Sequence, residues 1–271
     1  MASGLWRNIN YKTPVKYYIN TYIREYDLSK ANINALLYQG RISKSEYNKF
    51  YNMDKKEREV TIGKMISKDR TIYQDIQAGI KEAKRKLFLT NDIEDLDIVS
   101  IKNDAVFIVG KYLQQTEFSP FKFIVKNEYN IFFQLQELEI YYSDTIDKNG
   151  YIMVNIDVKG IGDDNLILHQ NGMLDMICEV CRRLQRETID ETMSYVSMMY
   201  NKFINRELSK DYYRNFDSFS MYQIPTFMQS IQIPDITEEM KYAVDINRNL
   251  SIMRNLVGII SDIYRQKKRR G

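Results

Sequence analysis

The period of the hydrophobic pattern changes along the chain, and this change limits the possible folds more than any other feature. Residues 15–28 are rich in β-forming side chains, and residues 43–89 repeat apolar side chains every three or four positions. Short apolar runs return over residues 97–158, and helical spacing returns over residues 172–208 and 237–265. Strands and helices in separate blocks are typical of the α+β class. We therefore expect a small antiparallel sheet backed by helices, then a β-meander, then a helical C-terminal third.

These blocks suggest three regions along the chain. We expect an α+β region at residues 1–115, a β-meander at residues 116–165 and a helical region at residues 166–271. Hydrophobic residues make up 44% of the chain and the formal net charge is +3, so a chain of 271 residues can bury a core and disorder is excluded as its main state. A net charge this small is not the signature of a nucleic-acid binder, although a local basic patch would be compatible with one.

Capping residues mark the ends of the first helices. Ser29 is a good N-cap for a helix over residues 30–38, which Gly40 would end. Ser43 and Glu46 have the spacing of a capping box at the start of the charged block.

Turn residues separate the strands that follow. Residues 98–101 and 105–109 flank a Lys-Asn-Asp turn, which is the pattern of a β-hairpin. Asn149 and Gly150 form a two-residue hairpin signal. Further strands are expected at residues 121–125, 130–135, 138–142 and 151–158.

Several features indicate where the protein acts. Cys178 and Cys181 are the only cysteines, too few for a disulfide scaffold, and they favour an intracellular protein. The first six residues lack the features of a signal peptide, and no apolar run is long enough to cross a bilayer. The abundance of Lys, Asn, Ile and Tyr suggests a low-GC bacterium or its phage. We therefore expect a cytoplasmic protein, in the host cell if phage-encoded, without a membrane partner.

Two aspartates stand out for their positions in the predicted elements. Asp27 lies at the end of a strand that leads directly into a helix, and Asp104 lies at the tip of the predicted hairpin. Carboxylates held in this way can bind Mg²⁺, which prefers carboxylate oxygens and water and takes further ligands from substrate phosphates. On a strand, Glu25 points to the same face as Asp27 and could be an auxiliary ligand. Mn²⁺ could replace Mg²⁺ at such a site.

These two segments resemble motifs of a known enzyme family. Residues 26–29 (Tyr-Asp-Leu-Ser), followed by a helix, resemble motif A of template-dependent polymerase palms. Residues 102–107 (Lys-Asn-Asp-Ala-Val-Phe) resemble motif C, in which a metal-binding aspartate occupies a hairpin turn. The similarity is closest to DNA polymerases of the A and B families and covers residues 15–112. Motif C matches in its pattern of residue types rather than in residue identities. The usual motif B sequence is missing and no exonuclease domain is recognisable. The resemblance therefore implies a divergent palm.

The resemblance implies a function. It implies a template-dependent nucleotidyltransferase that uses two Mg²⁺ ions, with Asp27 and Asp104 as catalytic metal ligands. The helix at residues 75–89 would occupy the motif B position and offer Lys81, Lys84 and Arg85 to the phosphates of a nucleoside triphosphate. The protein would bind DNA or RNA and work in phage replication or transcription, alone or with other phage subunits.

A basic run near the end of the chain is a second candidate contact with nucleic acid. Its residues are Lys267, Lys268, Arg269 and Arg270. Because chain ends are poorly ordered unless something binds them, this tail would make nonspecific phosphate contacts.

Other interpretations remain open at this stage. A metal-dependent nuclease would use the same carboxylates. Aspartates at strand ends and in turns are also ordinary turn chemistry, so the chain could instead be a non-enzymatic phage structural or interaction protein. Cys178, Cys181 and His169 are too few for a zinc site, and buried thiols on a helix are the better interpretation.

Overall fold

The computed structural model describes residues 2–160, 172–213 and 238–270 of the chain. Within these residues there are seven α-helices and eight strands, and every strand pair whose register is described is antiparallel. The predicted α+β class is thereby confirmed. The chain divides into two compact units, one of Met1–Pro14 with Thr21–Glu128 and the other of Val15–Asn20 with Tyr129–Gly271. Two long strands contribute residues to both units, and the division into regions 1–115, 116–165 and 166–271 stays a prediction.

The first unit combines a sheet with four helices. Its strands are β1 (Asn10–Lys12), most of β2 (Tyr17–Leu28), β3 (Ile98–Lys102), β4 (Ala105–Val109), β5 (Glu117–Phe118) and the first half of β6 (Phe121–Leu135). Its helices are α1 (Ala31–Tyr38), α2 (Lys44–Asn52), α3 (Lys55–Lys68) and α4 (Thr71–Thr90). Within this unit the strand order is β1-β3-β4-β2.

Helix α4 supplies the predicted apolar face to the core of this unit. Ile76, Ile80, Ala83 and Leu87 are all buried, as their spacing requires. Helices α1 and α4 pack closely at Gly79, where an added Cβ would lie 2.6 Å from the Cβ of Ala35. This close packing holds α1 in place directly after the end of β2.

The junction between β2 and α1 differs from the prediction. Ser29 is not the N-cap, because its backbone N–H donates to the carbonyl of Lys122 at 2.9 Å and its own carbonyl accepts from the Asn34 side chain at 2.7 Å. Lys30 is the N-cap instead, in the left-handed region with φ 50° and without a side-chain capping bond. By contrast, the capping box of Ser43 and Glu46 at α2 is confirmed.

The β3–β4 hairpin has the predicted turn. Asn103 at the tip has a φ of 52°, which asparagine tolerates better than most residues, and its N–H donates to the carbonyl of Ile9 at 2.7 Å. β4 pairs with β2, so that Asp27 lies opposite Ala105. The hairpin tip and the end of β2 therefore meet at one edge of the sheet.

The second unit contains a meander and three helices. Its elements are the rest of β6, β7 (Leu138–Ile146), β8 (Ile152–Lys159), α5 (Gly172–Arg186), α6 (Ile189–Ile204) and α7 (Glu238–Arg270). The core packs apolar side chains of these strands against the three helices. The strands predicted at residues 121–125 and 130–135 are one continuous strand, β6.

The turn between β7 and β8 is longer than two residues. β7 ends at Ile146 and β8 begins at Ile152, so Asn149 and Gly150 lie within a longer loop. The Asp147 carboxylate organises this loop by accepting the backbone N–H groups of Asn149 and Tyr151, both at 2.8 Å. An aspartate that binds backbone two and four residues ahead makes the longer loop stable.

Candidate functional site

Asp27 and Asp104 line the same cavity, which has a volume of about 260 Å³ and whose lining residues all belong to the first unit. Asp27 is the penultimate residue of β2 and pairs with Ala105 of β4 across the ladder. Asp104 is the residue directly before Ala105. The N–H of Leu28 donates to the carbonyl of Asp104 at 3.1 Å. The strand end and the hairpin tip therefore bring the two half-buried aspartates together, as the sequence analysis expected.

The cavity also contains cations and one further acid. The positive side chains are Lys30, Lys55, Arg58 and Lys126, and the third carboxylate is Glu59. The sequence analysis identified none of these residues. Their positions follow from how α1, α3 and β6 pack around the end of β2, which local patterns do not reveal.

The environment of Asp104 changes its acidity. Burial raises the pKa of the Asp104 carboxyl above its ordinary value, and the negative charge of Asp27 raises it further. The charges of Lys126 and Lys84 act in the opposite direction but do not cancel the increase. A partly buried acidic pair favours either a proton or a cation between its members.

Glu25 does not share the cavity with the two aspartates. Its side chain is almost completely buried, and its carboxylate accepts from Asn127 Nδ2 at 2.7 Å and lies 3.6 Å from Lys126 Nζ. Within the residues described, no three His, Cys, Asp or Glu side chains are grouped so that they could hold a metal ion. The predicted auxiliary role of Glu25 therefore gains no support from its position.

The α4 cations are placed differently from the prediction. Lys84 is fully buried and donates to the carbonyl of Asn8 at 2.6 Å, so a substrate phosphate could not reach it. Its burial, and then the charge of Lys81, lower the pKa of Lys84 to about 8. Arg85 donates two hydrogen bonds to the carboxylate of Glu82, at 2.6 and 2.7 Å. Lys81 is half-buried and does not line the cavity.

The basic run is part of a helix. Helix α7 continues to Arg270, so these cations lie on its last turns. Lys268 Nζ lies 3.6 Å from Asp190 Oδ1 and 5.3 Å from the centre of the Tyr264 ring. Lys267 and Arg269 are exposed, and cations are favoured in the last turn of a helix by the helix dipole.

Cys181 is a buried thiol, as predicted, whereas Cys178 is half-buried. Both lie on α5, and burial raises the pKa of Cys178 to about 11 and that of Cys181 well above its ordinary value. Thiols with raised pKa values are poor nucleophiles and poor metal ligands at neutral pH. His169 lies outside the described residues.

Comparisons with known proteins give a family but no biochemical activity. No helix in the described part of the chain is long and apolar enough to cross a membrane. No curated protein sequence matches the chain significantly. The family model described as bacteriophage PBS1 gene 130 protein matches residues 1–262, which confirms the phage origin that the composition suggested. The chain therefore belongs to the bacteriophage PBS1 gene 130 protein family.

Proposed function

We propose that Asp27 and Asp104 form the centre of a template-dependent nucleotidyltransferase, the activity implied by the resemblance to DNA polymerase palms. The protein would transfer a nucleotidyl group to a 3′-hydroxyl as one part of a phage replication or transcription assembly. The observation that supports this proposal is the shared cavity: one aspartate comes from a strand end, the other from a neighbouring hairpin tip, and cations surround both.

The residues of the cavity fit a divalent cation of the Mg²⁺ type. Asp27 and Asp104 offer hard carboxylate oxygens, which are the ligands that Mg²⁺ and Mn²⁺ prefer. Burial, and then the negative charge of Asp27, raise the pKa of Asp104, and a bound cation would offset both effects. When bound there, a pair of divalent ions would activate the attacking hydroxyl and stabilise the leaving oxygen.

The chain's own residues would orient the substrate and balance its charge. Asp27 lies on β2, and the carbonyl of Asp104 in the adjacent hairpin turn accepts the N–H of Leu28. The backbone therefore holds both residues in place, which is what precise placement of a reacting group requires. Lys126 lies close enough to Asp104 to lower its pKa, and its ammonium is exposed to solvent. It can therefore stabilise negative charge that develops beside the aspartates.

Extension of a labelled primer tests the proposal. The purified protein is incubated with a primed DNA or RNA template, nucleoside triphosphates and either Mg²⁺ or Mn²⁺. We expect metal-dependent extension that is lost in Asp27→Asn and in Asp104→Asn. Asp92→Asn is the matched control, because Asp92 is exposed and has a φ of 48°, which asparagine also adopts readily.

The other outcomes separate the competing interpretations. Shortening of the labelled strand without extension would indicate a nuclease, which uses the same carboxylates for hydrolysis. The metal step is checked separately by electron paramagnetic resonance of Mn²⁺ added to the protein. Absence of Mn²⁺ binding, together with absence of both activities, would reject the enzymatic proposal and favour a phage interaction protein.

A further inference from the structure

We infer that helix α3 forms the part of the cavity that binds the triphosphate chain of a nucleoside triphosphate, with Arg58 as its main contact. This inference rests on the proposed function, because it names the substrate group held beside Asp27 and Asp104. It places phosphate binding on α3 instead of α4, the helix that the sequence predicted for this role, because on α4 Lys84 is buried and Arg85 is paired with Glu82.

One face of α3 lines the cavity. Lys55, Arg58, Glu59 and Ile62 all contribute to its wall, and their spacing of three, four and seven residues places them on one side of the helix. Ile62 is buried against the core, which fixes how the helix is rotated. The cations at positions 55 and 58 are therefore held on the wall of the same cavity as the two aspartates.

Arg58 has hydrogen-bonding capacity left for a ligand. It is half-buried, and its Nη1 donates to the carbonyl of Met53 at 3.3 Å. Within the described part of the chain, its guanidinium forms no ion pair. A guanidinium carries five N–H donors in a planar fork that suits phosphate oxygens. A half-buried arginine without a carboxylate partner, in a cavity that already contains two aspartates, is well placed to bind an anion.

Lys55 can take part at little cost. Its Nζ lies 3.9 Å from Glu59 Oε1, and both side chains are largely exposed. Exposed ion pairs of this kind contribute little to stability, so a phosphate can replace Glu59 as the partner of Lys55.

The charge and size of the cavity favour a triphosphate over a single phosphate of a nucleic-acid backbone. The two divalent ions of the proposed function would bring four positive charges against the two negative charges of Asp27 and Asp104. The four cations of the cavity, set against Glu59 and against Glu25 beside Lys126, add a further excess of two positive charges. Several negative charges in a short chain match that excess better than one backbone phosphate does. A volume of about 260 Å³ is also near the lower limit of ligand pockets, so we expect the base to remain outside.

Calorimetric titration with inorganic tripolyphosphate and Mg²⁺ tests this inference directly. We expect Arg58→Ala to weaken binding by about tenfold or more, as the loss of charge-assisted hydrogen bonds does, and Lys55→Ala combined with Arg58→Ala to weaken it further. Lys56→Ala is the matched control, because Lys56 is an exposed cation on the same helix that does not line the cavity. Thermal melting of each variant confirms that it is folded.

The outcomes distinguish this inference from the proposed function. The first outcome is a protein that binds Mn²⁺ but whose affinity for tripolyphosphate is unchanged in Arg58→Ala, or falls equally in Lys56→Ala. That outcome would overturn the assignment to α3 and leave the proposed metal centre in place. Binding that depends on Arg58 in a protein that does not bind Mn²⁺ would support the α3 site and reject the metal centre. Competition by an oligonucleotide as strong as that by tripolyphosphate would also overturn the inference, because it would indicate a backbone site.

Discussion

The backbone N–H of Leu28 donates to the carbonyl oxygen of Asp104 at 3.1 Å, one residue beyond the point where Asp27 faces Ala105 across the strand ladder. This bond extends the pairing of β2 and β4 to the residues that carry the candidate chemistry. The two aspartates therefore cannot separate without breaking the ladder. A site whose ligands are held in this way is organised before any ligand binds, which reduces the entropy lost on binding.

Removing the charge of Asp104 should not destabilise the fold. Because the folded state raises the pKa of Asp104, it holds this proton more tightly than the unfolded chain does. The resulting destabilisation develops as the pH rises from the ordinary aspartate value through the raised one. We expect Asp104→Asn to leave the free energy of unfolding unchanged or increased at pH 7, with the gain disappearing near pH 4.

Urea denaturation at the two pH values measures this effect, with Asp92→Asn as the control. Addition of Mg²⁺ should then raise the melting temperature of the wild type but not that of Asp104→Asn, since a ligand stabilises only the state that binds it. A loss of more than about 2 kcal/mol in Asp104→Asn would instead indicate a structural, hydrogen-bonded aspartate.

The close approach of α1 and α4 gives a second prediction. In Gly79→Ala the new methyl group would lie 2.6 Å from the Cβ of Ala35, so the helices must move apart. We expect a loss of about 1–3 kcal/mol, as overpacked cores show. Gly63→Ala is the control, because a Cβ at that position in α3 meets nothing within 4 Å and should stabilise the helix by about 0.5–1 kcal/mol. Equal unfolding free energies for the two variants would contradict this account of the packing.

The buried ammonium of Lys84 predicts an unusual dependence of stability on alkaline pH. Burial lowers the pKa of Lys84 to about 8, so between that value and the ordinary lysine value the unfolded chain binds more protons than the folded protein. The contribution of Lys84 to stability should therefore rise by about 3 kcal/mol as the pH increases across this window, and it is measured as the difference between the wild type and a variant that lacks Lys84. Lys84→Met should lack that increase, whereas Lys64→Met, at an exposed position on α3, should retain it. Urea denaturation of the three proteins at pH 7.5 and 10.5 measures the difference.

Local sequence patterns predicted the helices, the strands and the fold class. They did not predict which side chains come together through the packing of elements distant in sequence. The capping box of Ser43 and Glu46, and the hairpin that carries Asp104, depend on residues close in sequence. The wall formed by α3 depends on which helix packs beside the end of β2, so the role inferred for Arg58 could not be predicted.

Lys84 is an intermediate case. It follows Ile80 by four residues and Ala83 by one, so its place on the apolar face of α4 could have been read from the spacing. Ser29 failed for another reason: Lys30, with a left-handed backbone, is itself the N-cap, and the N–H of Ser29 binds the carbonyl of Lys122 on a distant strand.

The last turn of α7 gives a final prediction about nucleic acid. Deleting residues 267–271 removes exposed cations from a helix end, so it should weaken nucleic-acid binding and lower its salt dependence without altering the rate at saturating substrate. Asp190→Asn should act in the opposite direction, because Asp190 pairs with Lys268 at 3.6 Å and partly neutralises it. Filter binding over a series of salt concentrations measures both effects, and single-turnover rates measure the catalytic step. If the deletion and Asp190→Asn leave the salt dependence of the wild type unchanged, the end of α7 does not contact phosphates.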